Sequence, residues 1–379
     1  MSIKIVLAAL LMDSRTFDVI VIGAGIAGAT VAAALSATHK VALIEAEEQA
    51  GYHTTGRSAA IWILNYGPAD VRLLTGLSKA FFLNPPEGFG PLSHARSVLY
   101  LAPEAMVGAL DELLQRGLGV REIALAKAIQ IVPAIKHGYA VRAGFEEDAF
   151  DMDVAAIHQG YLRTLRRAGG ILALRSRADR IAQESNLWRV DTTMGGLFLA
   201  PLLVNAAGAW GEEIAAIAGV APLGLIPYRR TVATIDPSPY QVEHWPMVQS
   251  AAHDWYIRPE ARTKLMVTPC DETPTMAHDV RPEELDVALG IDRMQQAISI
   301  EVRRIEHSWA GLRTFAPDRS LAFGFDRSAK NFFWCVGQGG YGIQTSPAAG
   351  MLCAAMIRGA DPGPASAIIP AVDPNRFRS

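Results

Sequence analysis

The most regular hydrophobic pattern of the chain lies between residues 17 and 45. Val19–Ile22 is a continuous run of apolar, β-branched residues, which is typical of a strand covered on both faces of a parallel sheet. Ala27–Ser36 follows as a helix of small residues, and a second apolar run ends at Glu45. The order strand, helix, strand within about 30 residues predicts a βαβ unit.

The C-terminal part repeats half of this pattern. Residues 331–337 predict a strand, 338–344 a glycine loop, and 345–357 a helix that opens with a hydroxyl cap and a proline and ends before Gly359. An unrelated tight turn also accounts for the nearby glycines. If the C-terminus folds back beside the N-terminal sheet, however, one dinucleotide can use both glycine loops.

The middle of the chain carries shorter signals. Residues 106–118 and 153–168 predict helices, whereas the predicted strands are 171–174, 187–191 and 202–205. Prolines and aromatics then dominate residues 222–274, where further predicted strands, 231–235, 255–258 and 265–268, favour an antiparallel sheet in a second domain. We therefore expect an α/β fold, with a Rossmann-like dinucleotide domain and an α+β domain that contains this antiparallel sheet.

The domain boundaries follow from these elements. We assign residues 13–85, 145–215 and 305–365 to a discontinuous dinucleotide-binding domain, and residues 86–144 and 216–304 to the second domain. A length of 379 residues suits about two domains.

The motif in the βαβ unit that carries chemistry is G-A-G-I-A-G at residues 23–28. Gly23 permits the tight turn, Gly25 lets the backbone approach a pyrophosphate, and Gly28 lets the helix pack closely. The phosphates then lie on the free N–H groups of the helix N-terminus. Glu45, about 20 residues after Gly23, is placed to bind the adenosine ribose hydroxyls, which favours NAD or FAD over NADP.

Composition and charge exclude several classes of protein. Half of the residues are hydrophobic and 19% are charged, as in a globular protein with large cores. The net charge of −3 leaves no basic surplus for nucleic acid, so no nucleic-acid partner is expected. Three cysteines and nine histidines show neither a disulfide framework nor metal spacing, so we expect no metal and a reducing compartment.

The first residues bear on localisation. The apolar run Ile5–Met12 is too short to span a bilayer, and any membrane association is therefore at most peripheral. It resembles the core of a signal peptide, but a strand beginning at Phe17 leaves no room for a cleavage region. We expect a cytoplasmic protein, in which residues 1–11 are either native or an extension before a natural start at Met12.

Several strings resemble one family over nearly the whole chain. Beside G-A-G-I-A-G and Glu45, residues 54–60 (TTGRSAA), 205–210 (NAAGAW) and 339–342 (GGYG) resemble the FAD-dependent D-amino acid oxidase and glycine/sarcosine oxidase superfamily. A closer likeness, to bacterial D-amino acid dehydrogenases of the D-arginine dehydrogenase kind, is carried by GYHTTGRSAA, HQGYLR, PLGLIPYRR, SWAGLR and QGGYGIQTS.

The resemblance implies a bound FAD and hydride transfer from the substrate Cα to flavin N5, which gives an imino acid that hydrolyses to a 2-oxo acid and ammonia. The electron acceptor is then oxygen or a quinone. Cys335, inside a predicted strand, is a core residue rather than a covalent anchor, so FAD is expected to be non-covalent. The implied cofactor-binding residues are Gly23, Gly25, Ala27, Gly28, Glu45, Ala46, Thr54, Thr55, Gly56, Arg57, Ser58, Ala59, Ala60, Ala178, Gly208, Gly339, Gly340, Tyr341, Gly342, Ile343 and Gln344.

The resemblance also implies a substrate end. Arg230 and Arg313 match positions that bind an amino acid carboxylate, for which a planar guanidinium is suited. Tyr256 adds a hydroxyl donor, and Tyr66 matches a gate over the substrate. Arg229 adjoins Arg230, and a shift of one residue would exchange their roles.

The chain departs from the D-arginine dehydrogenase pattern at three positions. Where that group holds a guanidinium with an acid and polar side chains, this sequence has Val98, Ile61 and Ile63. A guanidinium buried there would lose its hydration without a partner. We therefore expect apolar or aromatic D-amino acids as substrates, unless Glu87 or Glu104 supplies the acid. The alternatives are a sarcosine or N-alkyl amino acid oxidase of the same fold, and a catalytically lapsed flavin- or amino-acid-binding protein.

Overall fold

The structure is a computed structural model that describes residues 16–378. The signal-like run and the alternative start at Met12 lie outside this range. The strands, in chain order, are β1 (Val19–Ile22), β2 (Val41–Ile44), β3 (Ile61–Trp62), β4 (Ser93–Ala95), β5 (Val98–Ala102), β6 (Val120–Ile123), β7 (Arg142–Glu146), β8 (Phe150–Met152), β9 (Ile171–Ala173), β10 (Ala178–Glu184), β11 (Leu187–Thr192), β12 (Leu197–Ala200), β13 (Leu202–Asn205), β14 (Ile226–Ile235), β15 (Met247–Ser250), β16 (Tyr256–Glu260), β17 (Lys264–Thr268), β18 (Thr273–Pro274), β19 (His307–Phe315), β20 (Ala322–Phe325) and β21 (Phe332–Val336). The helices are α1 (Ile26–Leu35), α2 (Ala69–Leu83), α3 (Val107–Gln115), α4 (Leu125–Ile131), α5 (Val154–Arg167), α6 (Gly211–Ile217), α7 (Glu284–Ala297), α8 (Gly342–Arg358) and α9 (Ile369–Val372).

The first of two large sheets has six strands in the order β20-β21-β13-β1-β2-β9. Its neighbours are parallel except for the β20–β21 pair. The inner strands β1, β2 and β21 are buried along their whole length, because helices cover one face and the three-stranded sheet β10–β12 together with α6 packs on the other. The predicted βαβ unit is thereby confirmed, and the predicted C-terminal strand lies in the same sheet.

The second large sheet has nine strands. Its order is β18-β14-β17-β16-β15-β5-β7-β6, with β19 also paired to β14. Every neighbouring pair is antiparallel except β15–β5, so the predicted antiparallel sheet is confirmed. One face of the sheet packs on α4 and α7 through an apolar cluster that includes Trp255 and Met294, and the other face turns towards the glycine loops.

The predicted domain boundaries agree with the strands of these two sheets in part. All strands of the six-stranded sheet lie in the three segments assigned to the dinucleotide-binding domain. Strand β19, however, falls in the segment 305–365 but belongs to the nine-stranded sheet, and β7 crosses the boundary at residue 144. The division into two domains stays a prediction.

One helix start differs from the prediction. Helix α8 begins at Gly342, three residues before the expected cap at Thr345. The Thr345 hydroxyl instead donates to the Tyr341 carbonyl from within the helix, at 2.9 Å, so it cannot cap the first turn. The first turn of α8 therefore starts within the predicted glycine loop, and the backbone amides of residues 342–344 are amides of this helix N-terminus. Across residues 16–378, no helix combines the length and apolarity that crossing a membrane requires.

Candidate active site

A large cleft lies between the carboxyl ends of β1 and β13 and the inner face of the nine-stranded sheet. Strand order reverses between β1 and β13, which is where open α/β sheets place their ligands. The predicted site residues that line the cleft are Gly23, Gly25, Ala27, Glu45, Ala46, Thr54, Thr55, Arg57, Ser58, Ala59, Ala178, Gly208, Arg230, Tyr256, Arg313, Gly339, Gly340, Gly342 and Ile343. The predicted residues that do not line the cleft are Gly28, Gly56, Ala60, Ile61, Ile63, Tyr66, Val98, Tyr341 and Gln344.

The glycines of the first loop are required by close backbone approach. Gly23 has a φ of +100°, and a Cβ there would lie 2.5 Å from the Ala206 carbonyl oxygen. A Cβ on Gly28 would lie 1.8 Å from the Gly23 carbonyl oxygen. These contacts bring α1 down onto the turn after β1, so that the helix N-terminus reaches the edge of the sheet.

That N-terminus offers unpaired amide donors. Its N-cap is Gly25, which has no side chain, and the Ile26 amide donates to the Thr55 hydroxyl at 2.9 Å. Within residues 16–378, the amides of Ala27 and Gly28 have no acceptor. Free amides and the helix dipole together make such an end suitable for an anion such as a pyrophosphate.

Glu45 holds the same loop from the strand side. Its Oε2 accepts the Ala24 amide at 2.8 Å and its Oε1 accepts the Glu47 amide at 3.0 Å. A carboxylate has about four acceptor positions, so both oxygens retain capacity for ribose hydroxyls. The carbonyl oxygen of the same residue, Ala24, is contacted from α5: the distance to the Nε2 of His158 is 2.8 Å. Burial lowers the pKa of His158, so the ring is neutral and donates this bond.

The second glycine loop supplies another helix N-terminus. Gly339, Gly340, Gly342 and Ile343 line the cleft, and within the described chain no side chain caps α8. The side chain of Gln344, predicted at the flavin edge, instead donates to the Thr75 hydroxyl at 2.8 Å in the core. The residues present therefore fit a dinucleotide with two anion-binding helix ends and a ribose-binding carboxylate.

The two predicted arginines meet at the far end of the cleft. The Arg313 Nη1 donates to the Tyr66 hydroxyl at 2.8 Å, which leaves its Nε and Nη2 unpaired among the described residues. Arg230 donates through Nε to the Asp271 carbonyl at 2.8 Å and through Nη2 to Glu272 at 3.1 Å, so its Nη1 is available. Three guanidinium nitrogens are thus available to bind a carboxylate.

The neighbouring arginine takes a different place. Arg229 contacts Asp286 at 2.7 Å and also pairs with Glu283, both on the outer side of β14 at α7. Consecutive residues of a strand point to opposite faces, so only one of the two arginines can face the cleft. The structure places Arg230 there.

Tyr256 lines the cleft from strand β16. Burial raises the pKa of Tyr256, and its hydroxyl therefore remains a protonated donor at neutral pH. The nearby Tyr66, Tyr256 and Cys270 groups overcome the effect of burial and raise the pKa of Arg313, which keeps its charge. The Tyr66 ring packs edge-on against the Tyr341 ring with centroids 5.2 Å apart, so Tyr341 supports Tyr66 from behind.

The three positions that depart from the family pattern lie together. Ile61, Ile63 and Val98 belong to one apolar cluster that also contacts Tyr66 and Tyr256. The alternative acids Glu87 and Glu104 are exposed and do not line the cleft. The register of the sheet instead pairs Val98 directly with Glu146, a buried acid that the sequence analysis did not consider.

Further residues of the cleft were not among the predicted site residues. The rings of His53 and Trp210 pack against each other at one wall, tilted by 44° with centroids 4.4 Å apart, and His53 lies 2.9 Å from the Glu47 carboxylate. Ala206 and Gly311 line the cleft and lie in the strings NAAGAW and SWAGLR, so the signal for them was present. Trp210 ends the string NAAGAW and His53 lies in GYHTTGRSAA, so the signal for them was present too, whereas Glu47 has no motif of its own.

Comparison with known proteins agrees with this geometry. The family model described as FAD dependent oxidoreductase, DAO, matches residues 18–356, and the chain belongs to this family. L-2-hydroxyglutarate dehydrogenase of Indibacter alkaliphilus is 25% identical over 212 residues, which are 52% of this chain and 52% of that protein. The chain thus matches about half of that relative's length.

Two solved structures share the fold. Glycine oxidase from Geobacillus kaustophilus superposes with a TM-score of 0.80 at 22% identity, over 92% of this chain and 96% of that chain. L-α-glycerophosphate oxidase from Mycoplasma pneumoniae, with FAD bound, gives a TM-score of 0.82 at 16% identity, over 91% and 95%. The predicted α/β fold class is confirmed by these folds, and the predicted cofactor FAD is confirmed by membership of a family of FAD-dependent oxidoreductases.

Proposed function

We propose that this chain catalyses the oxidative deamination of D-amino acids with apolar or aromatic side chains. The observation that carries the proposal is that Arg313, Arg230 and Tyr256 line the same cleft as the two glycine loops. Two converging guanidinium groups suit a carboxylate, and the loops suit a dinucleotide. A substrate with a carboxylate next to its reacting carbon fits this arrangement.

The residues act by binding and orientation. Arg313 and the free Nη1 of Arg230 hold the carboxylate, and Tyr256 donates its hydroxyl to the same group. A Cβ at Gly340 would lie 2.7 Å from the Arg313 guanidinium, so the second glycine loop runs directly against the carboxylate site. FAD, when bound non-covalently, supplies the acceptor for the hydride of the substrate Cα. Orientation accounts for most of what such a step needs from the protein.

The apolar cluster of Ile61, Ile63 and Val98 supports the proposed choice of side chain. These residues adjoin Tyr66 and Tyr256, so a side chain that leaves the carboxylate site towards the cluster meets apolar surface. A guanidinium or ammonium group in contact with them would be poorly solvated. The preference for the D-enantiomer rests on the resemblance of the sequence strings to D-amino acid dehydrogenases.

Anaerobic titration of the purified flavoprotein tests the proposal. The visible flavin absorbance is followed while D- and L-enantiomers of leucine, phenylalanine, methionine and arginine are added. We expect bleaching by the apolar D-amino acids and little by D-arginine or the L-enantiomers. Bleaching only by sarcosine or other N-methyl amino acids would instead establish an N-alkyl amino acid oxidase, and a flavin that no amine reduces would establish a binding role.

The electron acceptor can be tested in the same preparation. We propose a cytoplasmic enzyme that passes its electrons to oxygen or to a quinone. Stoichiometric hydrogen peroxide during aerobic turnover identifies oxygen as the acceptor. Turnover that requires an added quinone analogue identifies a dehydrogenase.

A further inference from the structure

A row of polar side chains extends from the cleft into the nine-stranded sheet. Tyr256, at the cleft wall, is the cross-strand partner of Gln249, and Gln249 is the partner of Tyr100 on the next strand. The Tyr100 hydroxyl donates to the Glu146 Oε2 at 2.6 Å. Directly paired residues point to one face of a sheet, so these side chains form a continuous row on the face that turns towards the cleft.

The row contains buried polar atoms that lack partners. Glu146, Gln249 and Asn65 are 1%, 2% and 2% exposed. Within residues 16–378, the Glu146 Oε1, the Gln249 Nε2 and the Asn65 Oδ1 have no hydrogen-bond partner. Leaving one such atom unsatisfied costs about 1–3 kcal/mol, so a hydrogen-bonding group that reaches this cluster would be bound favourably.

His253 fixes which atom of Gln249 is available. Its Nδ1 lies 2.7 Å from the Gln249 Oε1, and burial lowers the pKa of His253 to about 4, so a neutral imidazole donates to that oxygen. The amide Nε2 of Gln249 is therefore the free group, and it is a donor. The His253 ring also packs on the Tyr66 and Tyr100 rings at 6.2 and 6.1 Å between centroids, which links this row to the partner of Arg313.

We propose that Glu146, Gln249 and Tyr100 form a polar end to the substrate side-chain site, and that preferred substrates carry a neutral hydrogen-bonding group on an apolar stem. This inference rests on the function proposed above and makes its substrate class narrower. D-Tyrosine is the simplest amino acid of this kind, and D-phenylalanine is the same stem without the polar group.

Spacing and charge both favour a neutral polar tip. Tyr100 lies two strands from Tyr256, about 10 Å across the sheet, so the polar end lies beyond the carboxylate site rather than beside it. Val98, the direct partner of Glu146, and Ile63 supply apolar surface along the way. Burial raises the pKa of Glu146, which makes it a weaker counter-charge for a guanidinium than an exposed carboxylate would be.

The test compares D-tyrosine with D-phenylalanine in anaerobic stopped-flow reduction of the flavin. We expect the wild-type enzyme to reduce with D-tyrosine roughly tenfold more efficiently, since the phenol pairs with otherwise unsatisfied atoms. Gln249→Met should bring this ratio close to one, because it lowers the rate with D-tyrosine more than the rate with D-phenylalanine. Gln295→Met is the matched control, because Gln295 lies on α7 and bonds the Ile300 carbonyl.

Position 146 gives an independent pair of variants. Glu146→Gln keeps a donor and an acceptor and should retain the preference, whereas Glu146→Leu should abolish it. Equal rates with D-tyrosine and D-phenylalanine in the wild type would overturn the inference and leave the proposed function in place. A highest rate with D-arginine would overturn both the inference and the proposed preference for apolar or aromatic side chains. If no D-amino acid reduces the flavin, the proposed function fails and the inference fails with it.

Discussion

Gly28 is the residue at which helix α1 touches the first glycine loop. A methyl group there would lie 1.8 Å from the Gly23 carbonyl oxygen. The backbone fixes the positions of both atoms, so neither can rotate away. We predict that Gly28→Ala shifts α1 off the turn and weakens FAD binding by tenfold or more, or prevents holoenzyme from forming. Fluorescence titration of the refolded or deflavinated protein with FAD measures the dissociation constant.

Gly108 provides the matched control for this substitution. It also lies near the start of a helix, α3, but a Cβ there has no atom within 4 Å. Gly108→Ala should leave FAD binding unchanged and raise the free energy of unfolding by about 0.5–1 kcal/mol, because alanine favours the helix. Equal FAD affinity in both variants would contradict the steric argument for Gly28.

At Arg313, one substitution separates the contribution of positive charge from that of the planar guanidinium geometry. Arg313→Lys keeps the positive charge but loses the planar guanidinium. Its Nη1 donates to the Tyr66 hydroxyl, and its other nitrogens are the proposed donors to the carboxylate. We predict a fall in kcat/KM of roughly 10- to 100-fold, expressed mainly in KM, with an unchanged flavin spectrum. Arg229→Lys is the control: Arg229 pairs with α7 outside the cleft, so the substitution should leave KM as in the wild type. A similar KM effect in both variants would remove Arg313 from the carboxylate site.

Helix α5 acts on the cofactor site although it contributes no residue to the cleft wall. Through His158 it donates a hydrogen bond to the Ala24 carbonyl, while Glu45 holds the amide of the same residue. We predict that His158→Leu leaves this buried carbonyl unpaired and raises the FAD dissociation constant roughly tenfold, with little effect on KM. Titration of the apoprotein with FAD measures this.

The neighbouring exposed residue serves as the control for α5. Gln159 lies on the same helix and points to solvent, so Gln159→Leu tests whether any leucine on α5 disturbs the loop. We expect FAD affinity to be unchanged in that variant. An equal loss in Gln159→Leu, or none in His158→Leu, would show that α5 does not position the loop.

The elements differ in how far the sequence predicts them. The βαβ unit was predictable because its strands, glycines and acid lie within about 30 consecutive residues, so local pattern and tertiary contact coincide. The start of α8 was placed at Thr345, since Thr-Ser-Pro is a strong capping signal, but the loop at Gly342 already has helical geometry. Glu146 and Gln249 have no local motif. Their place beside Val98 and Tyr256 follows only from pairing between strands far apart in the chain, which no single sequence reveals.

Across the whole molecule, the cleft lies between two sheets that differ in character. The parallel sheet contributes helix N-termini and backbone amides, which bind anions of a cofactor without regard to the substrate. The antiparallel sheet contributes side chains on alternating positions, namely the arginines, the tyrosines and the polar row. We therefore expect cofactor binding to tolerate change in the second sheet, and substitutions on its inner face to alter substrate choice while the flavin stays bound.

Asp326 connects the edge of the six-stranded sheet with the C-terminal residues. Its carboxylate accepts the Trp334 indole at 3.1 Å and the Ser328 amide at 2.9 Å, and Arg378 lies 2.7 Å away. Burial favours the neutral acid, but the bonds from Ser328, Trp334 and Arg378 outweigh it and lower the pKa of Asp326 to about 2. The carboxyl is only 4% exposed, so solvent screens these contacts little.

This shift makes part of the stability of the molecule dependent on acid pH. Since the folded pKa lies below the unfolded value of about 3.9, the contribution is complete above that value and is lost as pH falls towards 2. We predict that Asp326→Asn lowers the free energy of unfolding by about 2 kcal/mol at pH 7 and flattens its pH dependence between about 4 and 2. Urea unfolding of the holoenzyme at several pH values measures both quantities. Asp179→Asn, at an exposed position, should run parallel to the wild type, and an Asp326→Asn curve that also runs parallel would show that the C-terminal ion pair contributes nothing to acid stability.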